Sequence, residues 1–356
     1  MDKPRVSIIV PMLNVARYLS KALDSISRQT LRDIEVICVD GGSTDGTVEI
    51  VRTFCEKDCR FRLVKSPKKS YGAQMNIGLS LARGEYFGIV EPDDWIESDM
   101  YAVLVSIADK NLLDFVKSDL IKFIGDGNIG KNCVKIEHLK NASLYWKVLD
   151  VVEYPDVILS SMLATCTAVY RMEFLKKLQF KYNESPGASY QDTSLYVTSF
   201  SAATRCMFIP RSFYHYRRDN INASSFRKDG ALLVRKEYEY AWQHCLVNVS
   251  RDRIVFLRPG LLALQFAAEV FTYQRISPEE RIGFWDGFCS DFKNAYKNLE
   301  FNLKLMPKGH QLLLRRIMEG EDSVGRLERL KVCLEENGIK NTFFKIFQNI
   351  LRLMNR

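Results

Sequence analysis

Between residues 5 and 123, short apolar runs alternate with segments whose apolar positions recur at helical spacing. That alternation marks βα units feeding a largely parallel sheet. It predicts strands over residues 6–10, 34–40, 61–64, 86–90 and 114–123. Between them, Leu19, Ala22, Leu23 and Ile26 follow i, i+3, i+4, i+7 spacing, as do Tyr101, Leu104, Val105 and Ala108, so each set lies on one helix face. A further helix is expected to begin near Asp45 or Thr47, where a short oxygen-bearing side chain can cap open amides.

Past residue 123 the pattern loosens. GDGNIGKN reads as a loop, 140–152 as a helix, 167–170 as a strand, 192–203 as a helix, and 206–210 and 213–217 as two strands. From about 226 the pattern is helical and lacks strand alternation. An α/β domain over 1–225 followed by an α-helical region over 226–356 is therefore expected, in keeping with a length of 356 residues.

A composition of 47% hydrophobic and 26% charged residues is that of a soluble globular protein. The net charge of +8 favours an anionic partner. No basic motif interleaved with aromatics is present, so no nucleic-acid binding is expected. The nine cysteines are scattered without a CxxC pair, which argues against a disulfide framework or structural zinc and suits a reducing cytosol. The opening MDKPRVSIIVP has an apolar run too short, and too soon broken by proline, for a signal peptide, so a mature start is expected. Arg258, Pro259, Gln265 and Glu269 interrupt the apolar stretch 254–273, which reads as a buried helix rather than a bilayer crossing.

In an open α/β sheet, ligands bind beyond the carboxyl ends of the strands. Three clusters fall there and should share one crevice: Pro11 to Asn14, Asp40-Gly41-Gly42-Ser43-Thr44-Asp45, and Glu91-Pro92-Asp93-Asp94. A carboxylate at Asp40 can accept a hydrogen bond from a base or ribose while the glycines admit close backbone approach; the same residues also compose an ordinary βα turn with a helix cap. Glu91, Asp93 and Asp94 crowd three carboxylates into four positions, and like charges raise one another's pKa unless a cation intervenes. Mg²⁺ or Mn²⁺ suits such a cluster, taking carboxylates together with substrate phosphates. An acidic loop ahead of a helix is the plainer alternative.

The ordered set VSIIVPMLNVARYLSKALDSISRQT, IEVICVDGGSTDGT, GAQMNIGLSLARGEYFGIVEPDDW and YQDTSLY resembles the inverting family 2 glycosyltransferases of GT-A fold, over roughly residues 5–225. The resemblance implies a GT-A-like catalytic domain acting on a nucleotide-sugar donor, most often a UDP-sugar. It implies nucleotide contacts at Pro11, Asn14, Asp40, Gly42 and Asp93, and a Mn²⁺ or Mg²⁺ ion on Asp93 and Asp94. Asp192 matches the catalytic base, and Arg217 and Arg218, in a segment running on to Asn222-Ala223-Ser224-Ser225, match a region near the diphosphate. Three positions depart from the family pattern: Gly41 and Glu91 each replace an aspartate, and Gln191 replaces the glutamate before the base.

The chemistry such a set would perform is direct displacement. A divalent ion stabilises the leaving nucleoside diphosphate, and Asp192 takes the proton of an attacking hydroxyl. Taken alone, Asp192 also reads as a helix N-cap. His215 reads as a strand residue or an extra metal or phosphate contact, Trp95 as core packing or a sugar-flanking ring, and Lys65, Lys68 and Lys69 as a solvated loop or near-nucleotide cations.

In the tail, Phe343, Phe344, Ile346, Phe347, Ile350, Leu351, Leu353 and Met354 cover one half of a helical cylinder and basic or polar residues the other. Such a helix can lie on an anionic membrane or dock on protein. The expected acceptor is a glycan or a lipid-linked glycan, and the expected location the cytoplasm, with the tail either docked on its own core or a second subunit, or peripheral on the inner membrane face. Two other readings are a nucleotide-sugar-binding partner subunit without catalysis and a sugar-phosphate nucleotidyltransferase; the latter's glycine-rich amino-terminal signature is absent from PMLNVARY.

Overall fold

The computed structural model describes residues 3–125, 132–223, 231–298 and 300–319. Its first half alternates β1 (Val6–Met12), α1 (Ala16–Ser27), β2 (Ile34–Asp40), α2 (Thr47–Lys57), β3 (Phe61–Lys65), α3 (Tyr71–Leu81), β4 (Tyr86–Ile89), β5 (Trp95–Ile96), α4 (Met100–Lys110) and β6 (Phe115–Phe123). There follow β7 (Cys133–Ile136), α5 (Asp156–Ser160), β8 (Ala168–Arg171), α6 (Met172–Lys177), α7 (Asp192–Ala202) and β9 (Cys206–Arg217). Four long helices complete it: α8 (Ala231–Asn248), α9 (Arg251–Tyr273), α10 (Pro278–Lys297) and α11 (Lys308–Glu319).

The strands form one mostly parallel sheet in the order β3-β2-β1-β4-β8-β6-β9-β5, with β7 added to β6. β3, β2, β1 and β4 run parallel, and β8 is antiparallel to both of its neighbours. Every residue of β1 and β2 is buried, as expected for parallel strands covered on both faces. The predicted faces of α1 and α4 are the buried ones. Gly72 lets α3 pack tightly, because a Cβ there would stand 1.7 Å from the carbonyl oxygen of Asn183.

Several expectations change. The helix expected over 140–152 is absent. One 3-10 turn, Ala142–Leu144, follows Asn141, whose side chain accepts from the Ser143 amide at 3.1 Å. Beyond it, Leu149 exchanges backbone hydrogen bonds with Cys206 at 2.8 and 2.9 Å and is held extended. Local side-chain capture and a tertiary backbone pair here outweigh helical periodicity. The two strands expected over 206–217 are one. Register steps from Ile209 opposite Ser118 to Ser212 opposite Asp119, leaving Pro210 and Arg211 in a bulge where a missing amide costs no ladder bond. β5 and β7 pair only at sheet edges and had no alternation to announce them.

The chain divides into two compact units, Met1–Leu257 and Arg258–Arg356. In the first, α8 packs on α7. α9 is long and apolar enough, by length and composition, to cross a membrane, and half of its most apolar window is buried within the protein. Ser224, Ser225 and the amphipathic segment 343–354 lie outside the described residues.

Candidate active site

A cleft of about 350 Å³ opens beyond the carboxyl ends of β1 and β4. Its walls come from Pro11 and Met12, from residues 69–71, from 91–94, from 162–166, from 187–192, and from Tyr216, Arg217 and Asn220. Segments far apart in sequence thus meet where the topology places ligands.

The acidic turn is held from β9. Tyr214 Oη accepts from the Glu91 amide at 2.9 Å, and Asp94 Oδ1 accepts from the Arg217 amide at 2.7 Å. Arg217 Nε donates to the Asp93 carbonyl at 3.0 Å, and its guanidinium sits 4.7 Å from the ring centre of Tyr18 and 4.6 Å from that of Phe123. Asn220 Nδ2 donates to Asp93 Oδ2 at 2.8 Å, and the Tyr71 hydroxyl donates to Glu91 Oε1 at 2.7 Å. Burial pushes the Glu91 carboxyl up to about 8; the Tyr71 hydrogen bond opposes this, and the charges of Asp93 and Asp192 add to it. Burial, then Asp93, raises Asp94 well above the carboxylate range, and its Oδ2 is buried without a hydrogen-bond partner.

Asp192 opens α7, where the amides of Asp192 and Thr193 favour its carboxylate form. Burial lifts it to about 6 against those amides and the charge of Lys117. Gln191, 1% exposed, organises the loop before it. Its Oε1 accepts from the Ser189 amide at 2.5 Å, and its Nε2 donates to Ser185 Oγ at 2.9 Å and the Gly187 carbonyl at 3.3 Å. Ser185 in turn donates to Glu237 of α8 at 2.5 Å. Gly187 joins this loop to the one preceding α3: Tyr71 N donates to its carbonyl at 2.8 Å, and its own amide donates to the Lys69 carbonyl at 2.9 Å.

Of the residues singled out from sequence, Pro11, Asp93, Asp94, Asp192 and Arg217 line the cleft. Asn14, Asp40, Gly42 and Arg218 are not among its lining residues. Asn14 and Asp40 shape the adjoining loops. Asn14, at φ 53°, donates its amide to Ser43 Oγ at 2.9 Å and accepts from the Thr44 amide at 2.8 Å. Asp40 accepts from the Gly42 and Ser43 amides at 3.0 and 3.1 Å, with Gly42 at φ +97° supplying the left-handed turn. The Arg218 guanidinium lies 5.7 Å from the Tyr216 ring centre. Trp95 and His215 stack on each other at 3.4 Å, away from the cleft lining, and His215 Nε2 meets Glu97 at 2.8 Å. Lys69 lines the cleft, while Lys68 pairs with Glu184.

Sequence reasoning missed Tyr71, Asn220 and Lys117. Ser70, whose hydroxyl caps α3 by accepting from Ala73 at 3.2 Å, was the available signal for Tyr71. Asn220 and Lys117 had none, because their roles depend on partners more than 40 positions away.

A family model for Glycosyl transferase family 2 matches residues 7–178. That span belongs to glycosyl transferase family 2. Among curated proteins, the chain is 28% identical over 334 residues to "Glycosyltransferase GlyA" of Streptococcus pneumoniae, covering 90% of this chain and 42% of GlyA. It is 30% identical over 227 residues to "Uncharacterized glycosyltransferase EpsJ" of Bacillus subtilis, covering 61% of this chain and 62% of EpsJ. The chain thus spans less than two thirds of either relative. Among solved structures, S. aureus TarS 1-349 in complex with UDP-GlcNAc superposes with a TM-score of 0.66 at 18% identity, over 89% of this chain and 88% of that one. The fold is GT-A-like, and the family 2 domain supplies β1 to β4 together with the acidic turn.

Among the described residues, no cluster of three or more His, Cys, Asp or Glu is arranged to hold a metal by itself. The crowded acids and the unpartnered Oδ2 of Asp94 fit an ion that takes its remaining ligands from a diphosphate.

Proposed function

We propose that this chain is an inverting glycosyltransferase that moves a sugar from a UDP-sugar to a hydroxyl of a glycan or lipid-linked glycan, with Asp192 as general base. One observation carries the reading. Asp192, its carboxyl raised to about 6, lines the same cleft as Asp93 and the acidic turn. A base poised just below neutral pH is ionised at work yet basic enough to take a proton. The likeness to TarS, solved with UDP-GlcNAc, supports a uridine donor.

In this reading Pro11 and the loop shaped by Asn14, Asp40 and Gly42 bound the nucleotide end. Asp93 and Asp94 would hold Mn²⁺ or Mg²⁺, which when bound supplies positive charge to the leaving diphosphate. Asn220 and Arg217 fix the acidic turn so that Asp93 presents its carboxylate at the cleft. Arg217 and Arg218 add positive potential near the phosphates. Asp192 accepts the acceptor hydroxyl's proton as that oxygen attacks the anomeric carbon and the carbon–phosphate oxygen bond breaks. One displacement inverts the configuration.

UDP-, GDP-, CMP- and dTDP-sugars, with Mn²⁺ or Mg²⁺ present or chelated, should be screened for binding and turnover. Wild type should bind a UDP-sugar in a metal-dependent way, Asp93→Ala should lose that binding, and Asp192→Asn should keep binding while losing turnover. Turnover unchanged in both variants would refute the assignment.

A further inference from the structure

Helix α8 buries a stripe of Val234, Tyr238, Ala241 and Cys245, at i, i+4, i+7, i+11 spacing, and Cys245 Sγ meets Thr198 of α7 at 3.9 Å. Glu237 stands in that stripe at 0% exposure. Its Oε1 accepts from Ser185 Oγ at 2.5 Å and from Asn183 Nδ2 at 3.0 Å, and its Oε2 is buried without a hydrogen-bond partner. A half-satisfied carboxylate in such a seam adds less to stability than an apolar side chain of similar volume would. Packing alone does not account for Glu237; the loop it holds does.

Segment 181–187 is tied to both α3 and α8. From α3, Asn76 accepts from the Tyr182 amide at 2.8 Å and donates to the Tyr182 carbonyl at 2.9 Å. From α8, the Tyr240 hydroxyl donates to the Lys181 carbonyl at 3.1 Å, and Glu237 takes the side chains of Asn183 and Ser185. Ser185 passes the hold on, because its Oγ also accepts from Gln191 Nε2 at 2.9 Å, while Gln191 Oε1 accepts from the Ser189 amide at 2.5 Å. Glu237, Ser185 and Gln191 thus join α8 to the residue directly before Asp192. Asp93 and Asp94 are held separately, by Asn220 and by the Arg217 amide. α8 also lies beyond residues 7–178, the span that matches the family model.

We propose that Glu237 is a positioning residue for the transfer reaction, acting through Ser185 and Gln191 to fix the loop that leads to Asp192. The inference rests on Asp192 being the base. Because the relay ends beside Asp192 and bypasses Asp93 and Asp94, breaking it slows the chemical step and leaves donor binding in place.

The test measures kcat and donor KM from UDP released by UDP-GlcNAc with Mn²⁺, together with thermal melting. The proteins are wild type, Glu237→Met, Glu237→Gln, Ser185→Ala, the double variant Glu237→Met with Ser185→Ala, and Asp192→Asn. Glu237→Met should lower kcat about 10- to 100-fold, the equivalent of one or two buried hydrogen bonds, with KM within about twofold of wild type. Its Tm should not fall, because methionine fills the seam without an unpaired oxygen. Glu237→Gln keeps an oxygen for Ser185 and Asn183 and should restore kcat to within about threefold of wild type. Ser185→Ala should lose about tenfold, and the double variant should be no slower than Glu237→Met, since both changes break one relay. A wild-type kcat in Glu237→Met, no rescue by Glu237→Gln, or losses that multiply in the double variant overturns the relay; turnover by Asp192→Asn overturns the base assignment beneath it. Should Glu237→Met not fold, Ser185→Ala decides: a lowered kcat at unchanged KM upholds the relay, and a wild-type kcat overturns it. Should wild type release no UDP, hydrogen exchange at the Ser189 amide decides: faster exchange in Glu237→Met and Ser185→Ala upholds the relay, and unchanged exchange overturns it.

Discussion

At the scale of single residues, the proposed base Asp192 and its neighbour divide two tasks. Asp192 must be deprotonated to act, and its folded-state value of about 6 lies above the ordinary aspartate value, so wild-type kcat should climb about tenfold per pH unit below 6 and level off above it. A rate flat from pH 4.5 to 7 would contradict that. Gln191 uses its amide in both senses, accepting from Ser189 while donating to Ser185 and Gly187. A carboxylate only accepts, so Gln191→Glu should strand two acceptors and add negative charge beside the base. Steady-state kinetics should then show kcat reduced about 10- to 100-fold, the equivalent of one or two buried hydrogen bonds. Asp93, Asp94 and Asp192 were legible in the sequence because carboxylate spacing and motif order survive without a structure. Asp40 and Asn14 were legible as loop residues, but Asp40 bonds within its own turn and Asn14 bonds across to the loop after β2, and that geometry is invisible to spacing.

At the scale of elements, strands and helices of the first half were readable because parallel strands are continuously apolar and their helices keep a single buried stripe. The region after residue 123 was harder to read because its elements answer to distant partners. Leu149 is extended by Cys206, and β9 is continuous only because β6 supports it across the Pro210 bulge. Gly72 is a similar case at the start of α3. Gly72→Ala would push a methyl into the backbone of Asn183, which cannot rotate away as a side chain would. It should lower stability by about 1–3 kcal/mol, read as a clear fall in Tm, and disturb Tyr71 and with it Glu91.

For the whole molecule, the net charge of +8 and the basic amphipathic pattern of residues 343–354 motivate an interfacial location, which is an inference from sequence. The full chain should float with vesicles containing anionic lipid and be released by high salt, while a chain ending at residue 340 should not float. Equal flotation of both would remove the tail from the account. The pair of backbone hydrogen bonds through Gly187 has a consequence of a different kind. It stitches the loop that leads to Asp192 to the loop that opens α3, though they are separated by more than a hundred residues of chain. Neither can unfold locally without breaking the bonds of the other, so the two should behave as one cooperative opening unit. In native-state hydrogen exchange, the amides of Tyr71 and Gly187 should therefore report a common opening free energy and gain protection together when a donor occupies the cleft, even if that donor touches only one of the two loops.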